Sequence, residues 1–471
     1  METNSNNLIS TTPAPRYTID DMPFGWRHVW IVFVSSLGQL IGTGVATLAG
    51  IIIPLLNIIN HPELGSAMQG LIGASDLIGI VVGSVVLGRL TDRNGYLFYF
   101  RAGPAMMLIA AVVSVLFPHV SVLIVCLFVI GFGIGGEYSL DSDYISVLLP
   151  KKWRPTMIGV AKAASALGNV AVAGLCWWIV SSWNDADAWS SLMWIVAAIA
   201  ALMLICRIWF WESPVWLLNH GRKEEAEKAL HNFLGPDVSL PDVTLANVDS
   251  GKPSKKTADT GVFSFIKSYF SRVMLSGIPW ACEGLGVYGI GIFLPVLVMS
   301  LGLEPTASEE SPLMHVASSV EITFWISCII LPGFLLGLWL VSRKAYIPRV
   351  QTIGFWACAV SMILLLLAYQ YHWPVWISIT SFMLFELFLN MGPHLVTYLL
   401  PPAIFPVEVR GQGSGIAAAI GKIGAVLAVF IIPVLLRWGG VVLVLGVSAA
   451  IMVLGAIVTA LYAPKVMPRE E

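Results

Sequence analysis

Charge is what this sequence has least of. Only 11% of its 471 residues are Asp, Glu, Lys or Arg, where a soluble domain carries roughly 25%. That shortage excludes an ordinary water-facing exterior. Neither sign is in excess, with a net charge of −2, so no basic surface awaits nucleic acid. The cysteines (Cys126, Cys176, Cys206, Cys282, Cys328 and Cys358) all fall in apolar runs and form no CxxC pair. A metal site and a disulfide framework are therefore not expected, nor is any cofactor. The first 24 residues are polar, contain Asp20 and Asp21, and lack a basic n-region with a cleavage site. They do not read as a secretory signal peptide, and the first apolar helix is expected to act as the targeting signal. No nucleophile–base set appears, so an enzyme is not expected. The glycine runs GIVVG (79–83) and GFGIGG (131–136) follow no strand, so they read as packing surfaces and not as phosphate loops.

What is present suits lipid. The hydrophobic fraction is 57%, with 43 glycines and 18 tryptophans. Membrane helices use Gly for close packing and Trp at the two interfaces. A spanning helix needs about 20 mostly apolar residues. Such runs occur at 28–54, 66–90, 98–117, 121–148, 155–181 and 188–210, and again at 273–300, 314–341, 350–370, 374–400, 411–436 and 439–463. The predicted fold class is an all-α membrane protein of twelve transmembrane helices in two six-helix halves. The expected organisation is a tail (1–27), an N-terminal half (28–211), a cytoplasmic helix and linker (212–270), a C-terminal half (271–463) and a short tail (464–471). Within the gap, GRKEEAEKAL reads as a helix with one solvated face, and the stretch after it as a flexible linker.

Lys and Arg placement sets the expected orientation. With both termini in the cytoplasm, Arg89, Arg93, Arg101, Lys151, Lys152, Arg154, Arg343, Lys344, Arg349 and Arg410 all fall at cytoplasmic ends. The opposite loops hold Arg437 and otherwise acids: Glu63, Asp185, Asp187, Glu304, Glu309 and Glu310.

The halves also resemble each other. WRPTMIGVAKAASALG (153–168) aligns without gaps to VRGQGSGIAAAIGKIG (409–424), matching Arg154 with Arg410, Gly159 with Gly415 and Gly168 with Gly424. Repeated halves around a midplane site are a common transporter plan. GRLTDRNG (88–95) resembles the G-x-L-x-D-R-x-G hallmark of the major facilitator superfamily. WESPVWLLNHGRKEEAEKAL (211–230) is similar to a segment of that superfamily's sugar-porter branch. GIGGEYSLDSDYI (133–145) and NMGPHLVTYLLPPAIFPVEVRG (390–411) are similar to segments of phosphate:proton symporters and related metabolite porters.

The resemblance implies a transporter fold and a set of site residues. Glu137 and Tyr138 take the fourth-helix carboxylate and tyrosine positions, Lys422 the eleventh-helix substrate lysine, and Trp280 and Tyr288 the seventh-helix aromatics. It also implies a latch, in which Asp92 faces the N-terminus of the eleventh helix with Gly88, Arg93 and Gly95 around it, together with the loops near Arg154 and Arg410. Several positions depart from the family pattern: Gly284 stands at the seventh-helix aspartate position with Glu283 beside it, Ser165 replaces a glutamine, and Leu127 replaces the fourth-helix arginine.

The residues themselves add physical reasons. A charge at mid-bilayer costs about 2.5–3.5 kcal/mol by insertion scales, so each needs an explanation. Asp76, Glu137, Asp141, Asp143, Lys162, Glu283, Glu321, Glu386 and Lys422 are the charges in question. Glu137 and Asp141 lie at i and i+4 on one helix face, a spacing that suits a proton carrier. The alternative is that Asp141 and Asp143 pair with Lys151 or Lys152. Lys422 lies ~16 Å along its helix, too deep for easy snorkelling, so a bound anion or a carboxylate partner is expected. Lys162 is shallower and has the cytoplasmic interface within reach. Glu283 sits beside aromatic residues. Gln39 and Asn390 are uncharged candidates for the cavity wall or for interhelical hydrogen bonds.

Together these readings describe a transporter of a small polar, anionic metabolite, coupled to protons, working as a monomer in a bacterial inner membrane. Its substrate residues are Tyr138, Ser165, Trp280, Tyr288, Asn390 and Lys422. Its proton residues are Glu137, Asp141 and Glu283. A neutral sugar or polyol porter remains open, as does a sensor that keeps the fold without transport.

Overall fold

The computed structural model describes residues 17–59, 64–182, 186–239, 262–303, 311–343, 346–406 and 409–467. The N-terminal half contains α1 (Trp26–Ile59), α2 (Ser66–Asn94), α3 (Tyr96–Leu116), α4 (Val120–Leu148), α5 (Arg154–Ser181) and α6 (Met193–Arg207). Each belongs to an apolar run of 18 residues or more, apolar enough to be enclosed by protein or lipid. In α2 and α4 the glycines decide the distance of approach. A Cβ at Gly79 or Gly83 would run into the backbone of Phe128 or Phe132. One at Gly131 or Gly135 would run into the backbone of Asp76 or Ile80. The two runs pack reciprocally, backbone on backbone, which only Gly permits.

Between the halves lie α7 (Pro214–Asn219) and α8 (Lys223–Leu234). α8 buries Ala226, Ala229, Leu230, Phe233 and Leu234 and turns its charges outward. A short parallel pairing of β1 (Tyr17–Thr18) with β2 (Val238–Ser239) ties the N-terminal segment to the chain after α8. The expected linker at 240–261 lies outside the described residues.

The C-terminal half is more broken. α9 (Val262–Ser268) leads into α10 (Phe270–Gly284), which continues through a π-helical turn (Leu285–Ile290) and bends by 64° into α11 (Leu294–Ser300). The eighth span is α12 (Pro312–Ser327) and α13 (Ile330–Ser342) in succession, the ninth is α14 (Ile347–Gln370). The tenth is α15 (Val375–Leu389), a π-helical turn (Asn390–His394) and α16 (Leu395–Ile404). α17 (Arg410–Val466) reverses at Gly439 and Gly440, where Gly440 has φ 61°, so its 57 residues supply two crossings. A straight helix of that length would reach ~85 Å, far beyond a ~30 Å hydrocarbon layer. Counted this way, the described residues make twelve spans, in two six-helix halves.

The same pairings recur in both halves: α1 packs on α5 and α2 on α4, as α10 packs on α17 and α13 on the turn after α15. The halves meet tightly at the end away from the chain termini. There Gly70 of α2 faces Phe430 and Gly73 faces Val429 of α17. A Cβ at Gly50 of α1 would strike the carbonyl of Ile292, and Trp177 of α5 stacks on Phe324 of α12 at 5.5 Å.

Candidate functional site

The N-terminal half holds its buried acid with an arginine that sequence reasoning passed over. Arg207, the last residue of α6, has no exposed surface. Its Nη1 donates to Glu137 Oε1 at 2.8 Å and its Nη2 to Oε2 at 2.5 Å, a two-pronged pair. Nη1 also donates to the carbonyl of Phe100, and the guanidinium lies 3.6 Å over the Phe100 ring. Asp141 stands one turn further on, with Oδ1 3.7 Å from Nη2. Asp141 therefore meets Arg207, not a lysine at the helix end. Arg207 sits near the end of its expected span, where an arginine ordinarily snorkels. The one signal for it was an intramembrane Glu137 in a helix with Leu127 where the arginine would be.

Around this pair the helix ends are tied down. Arg101 of α3 donates to the carbonyls of Arg207, Ile208 and Phe210, satisfying the end of α6. Glu212 accepts the N–H groups of Tyr96 at 2.7 Å, Leu97 and Ser213, at the N-terminus of α3. Gly95, between α2 and α3, has φ 100° and lies directly against that carboxylate. Arg154 pairs with Asp20 at 2.5 Å and donates to the carbonyl of Leu149. Gly88 falls within α2, and the side chains of Asp92, Arg93, Tyr138, Asp143 and Arg410 lie outside the described residues.

The interface between the halves gathers a different set. Glu283, near the end of α10, is 1% exposed and meets His394 Nδ1 at 2.5 Å. His394 ends the π-helical turn after α15, and such wide turns are frequent at functional sites. Tyr398 of α16 lies 5.8 Å from the His394 ring and 5.0 Å from that of Trp280. From the other half, Lys162 of α5 places Nζ 4.1 Å over the Tyr398 ring and donates to Gln39 Oε1 of α1 at 3.2 Å. It has not snorkelled to the helix end. Lys422 of α17 donates to Tyr288 Oη at 3.1 Å and lies 4.6 Å from that ring's centre. Coulombic interactions link Lys422 with Lys162 and with Asp76, and Lys162 with Glu283. Glu283 and Lys162 thus lie within electrostatic reach of each other across the halves, and His394 and Tyr398 are further residues that sequence reasoning missed. His394 lay within the quoted NMGPHLV segment but was not counted among the intramembrane charges.

A cavity of about 30 Å³ opens beside this cluster. Thr43, Ser165 and Asn169 line it from the N-terminal half, and Thr323, Glu386, Asn390 and His394 from the C-terminal half. Ligand pockets are roughly ten times larger or more. In this conformation the space between the halves suits a water molecule.

This arrangement, polar and charged groups from two pseudo-repeats gathered at the seam between them, agrees with what sequence comparison finds. A model of the "Sugar (and other) transporter" family matches residues 31–470. The chain belongs to this family. Its members have the major facilitator fold and are transporters, not enzymes. Like them, this transporter is a multi-pass membrane protein. Among its relatives, it is 26% identical to the inner membrane metabolite transport protein YgcS of Escherichia coli (strain K12), over 97% of this chain and 95% of that protein. It is 23% identical to the inorganic phosphate transporter PHO84 of Saccharomyces cerevisiae (strain ATCC 204508 / S288c), over 87% of this chain and 76% of that protein. Its fold matches the xylose transporter XylE from E. coli in a partially occluded inward open conformation, with a TM-score of 0.72. That match has 19% identity and covers 94% of this chain and 100% of that one.

Proposed function

We propose that this transporter carries a small anionic metabolite together with protons, by alternating access, across a bacterial inner membrane. The observation that carries the reading is that Lys162 and Lys422, one from each half, lie within electrostatic reach of each other, with Lys162 over Tyr398 next to the buried Glu283–His394 pair. A buried ammonium within a bilayer is costly, and an anion between two of them offsets that cost in the loaded carrier. Charge-assisted hydrogen bonds from both halves would draw the halves together on the substrate. Trp280 and Tyr288 form apolar walls, and Ser165 and Asn390 orient the polar end, with Tyr138 assigned by resemblance alone.

Proton exchange is assigned to Glu283, because its partner His394 is an imidazole, a group with two ring nitrogens through which a proton can be taken up and passed on. Glu137 faces a guanidinium, which does not exchange protons. Asp141 stays a secondary candidate. The termini are assigned to the cytoplasm from the Lys and Arg bias. In that orientation the tight end is external and the conformation faces inward. Asp92, with Gly88, Arg93, Gly95, Arg154 and Arg410, is assigned to a latch that holds the opposite, outward state. The working unit is taken as the monomer, with the tails, the 212–270 segment and the two halves bounded as read from the sequence.

A neutral sugar or polyol is the second reading. The hydroxyl and amide lining of the cavity favours it (Thr43, Ser165, Asn169, Thr323 and Asn390). Equilibrium binding of inorganic phosphate, nicotinate and D-xylose to the purified protein between pH 5 and pH 8 separates the two. Binding of an anion that Lys422→Ala abolishes supports the first. Binding of D-xylose alone, unchanged in Lys422→Ala, overturns it.

A further inference from the structure

Glu386 is a buried acid that the site described above does not use. It lies in the last turn of α15 and is 4% exposed. Among the described residues no cation reaches its carboxylate. Among the described residues its carboxylate has one hydrogen bond, from Asn390 Nδ2 to Oε2 at 3.2 Å, and the same amide donates to the Glu386 carbonyl at 2.8 Å. An ionised carboxylate so placed in a bilayer is costly. A proton is the smallest counter-charge that removes the cost.

Three features of the surroundings suggest where that proton goes. Glu386, Asn390 and His394 follow at i, i+4 and i+8, and all three line the same cavity. His394 uses Nδ1 to meet Glu283, which leaves Nε2 as the ring atom for the cavity. The cavity, about 30 Å³ and walled by Thr43, Ser165 and Asn169 on its far side, is polar and large enough for water. The other groups that face this line are few. Cys358 of α14 is the titratable neighbour of Glu386, its thiol donating to the Phe385 carbonyl. Thr323 and Ser327 from α12 do not titrate in the physiological range. Lys162 from α5 acts on Glu283 at the other end.

We propose that Glu386 is a proton-binding site and the cavity-side end of a relay to Glu283. This rests on the reading of Glu283–His394 as the proton-exchanging pair. In the relay the Glu386 O–H bond breaks and its proton passes through water to His394 Nε2. The Nδ1 proton moves to Glu283 Oε1 at the same time. The imidazole is neutral before and after, Glu386 ends as the carboxylate and Glu283 as the acid. One proton is moved and none is created.

The test needs no substrate. Infrared difference spectra of the protein in lipid nanodiscs, recorded across a pH titration, read the protonated-carboxyl stretching bands directly. The variants are Glu386→Gln, Glu386→Asp and Glu283→Gln. Wild type should show a band that Glu386→Gln removes and another that Glu283→Gln removes. In Glu386→Gln the titration midpoint of the Glu283 band should move by up to about one pH unit, because linked groups titrate together. A Glu386→Gln spectrum identical to wild type, with the Glu283 band intact, overturns the relay and leaves Glu283 in its role. If Glu283→Gln also removes nothing, the proton-pair reading falls and the relay with it. Should Glu386→Gln not fold, Glu386→Asp decides: a displaced band supports the site and an unmoved band overturns it.

Discussion

Glu137 in α4 and Glu283 in α10 are equally buried, at 1% exposure each, and differ in what stands opposite. Glu137 meets a guanidinium from its own half in a two-pronged pair, with a carbonyl and an aromatic face completing the shell. Glu283 meets an imidazole and lies within electrostatic reach of a lysine from the other half. A guanidinium keeps its charge at every accessible pH, whereas an imidazole changes charge near neutrality. The first arrangement is a clamp that holds three helices of one half together. The second is an acid–imidazole pair at the seam between halves. The secondary structure follows the same division: α1–α6 run unbroken, while the C-terminal half carries π-helical turns at Leu285–Ile290 and Asn390–His394, beside the pair.

The largest effect should come from breaking the clamp. Arg207→Met leaves Glu137 and Asp141 buried without their cation and should cost about 3–5 kcal/mol, measured by chemical unfolding in detergent. The double variant Arg207→Met/Glu137→Gln should recover much of that loss. If single and double variants are equally unstable, Glu137 is not what the arginine holds, and the contrast between the halves fails.

Lys422→Ala comes next. Loss of one member of a desolvated charge pair costs about 2–5 kcal/mol. Anion affinity in equilibrium binding should therefore fall about 30-fold or more, with Lys422→Arg retaining part of it. Lys162→Ala should produce a loss of the same order, because an anion held from both halves needs both. A large loss in one and none in the other would place the site within a single half.

Glu283→Gln should cost little stability, since an amide can still bond to His394, yet it should abolish accumulation driven by an imposed pH gradient. Exchange of labelled for unlabelled substrate should persist, since it needs only the loaded carrier to reorient. Glu137→Gln should do the reverse, lowering stability while accumulation persists in whatever protein remains folded. Accumulation lost in Glu137→Gln but kept in Glu283→Gln would exchange the roles of the two acids.

The smallest effect belongs to an ion pair of the other kind. Arg222 and Glu225 in and before α8 are paired at 2.6 Å but exposed to water. The Arg222 guanidinium holds the Glu225 carboxyl below its ordinary range. Any stability from the pair is thus present at neutral pH and disappears as the pH falls through that lowered value. Solvent screening makes it slight. Glu225→Gln should leave the melting temperature unchanged at pH 7, and a marked drop there would show that burial is not what separates the clamp from a surface pair.

Much of the fold was legible because lipid reads sequence locally. The twelve apolar runs correspond to the helical spans, and GIVVG and GFGIGG do pack on each other. The breaks were less legible: the 64° bend after Ile290 and the two π-helical turns occur in runs that are apolar throughout. Of the site, Lys422 beside Tyr288 and Trp280 near the cluster were anticipated as residues. Lys162 was placed too near the interface, and His394 and Tyr398 went unnoticed. A histidine in an apolar run carries no sign of whether it meets an acid or a carbonyl.

By itself the sequence determined that this chain spans a membrane, how many times, and that its halves repeat. Those properties depend on stretches of some twenty neighbouring residues and on the boundary between water and hydrocarbon. The partners of the buried charges were decided only by tertiary structure. Arg207 reaches Glu137 across 70 residues, His394 reaches Glu283 across 111, and Lys162 reaches Gln39 across 123. Such pairs form because packed helices bring them within a few ångströms in low dielectric, where a charge must find a partner. No local pattern records which one it finds.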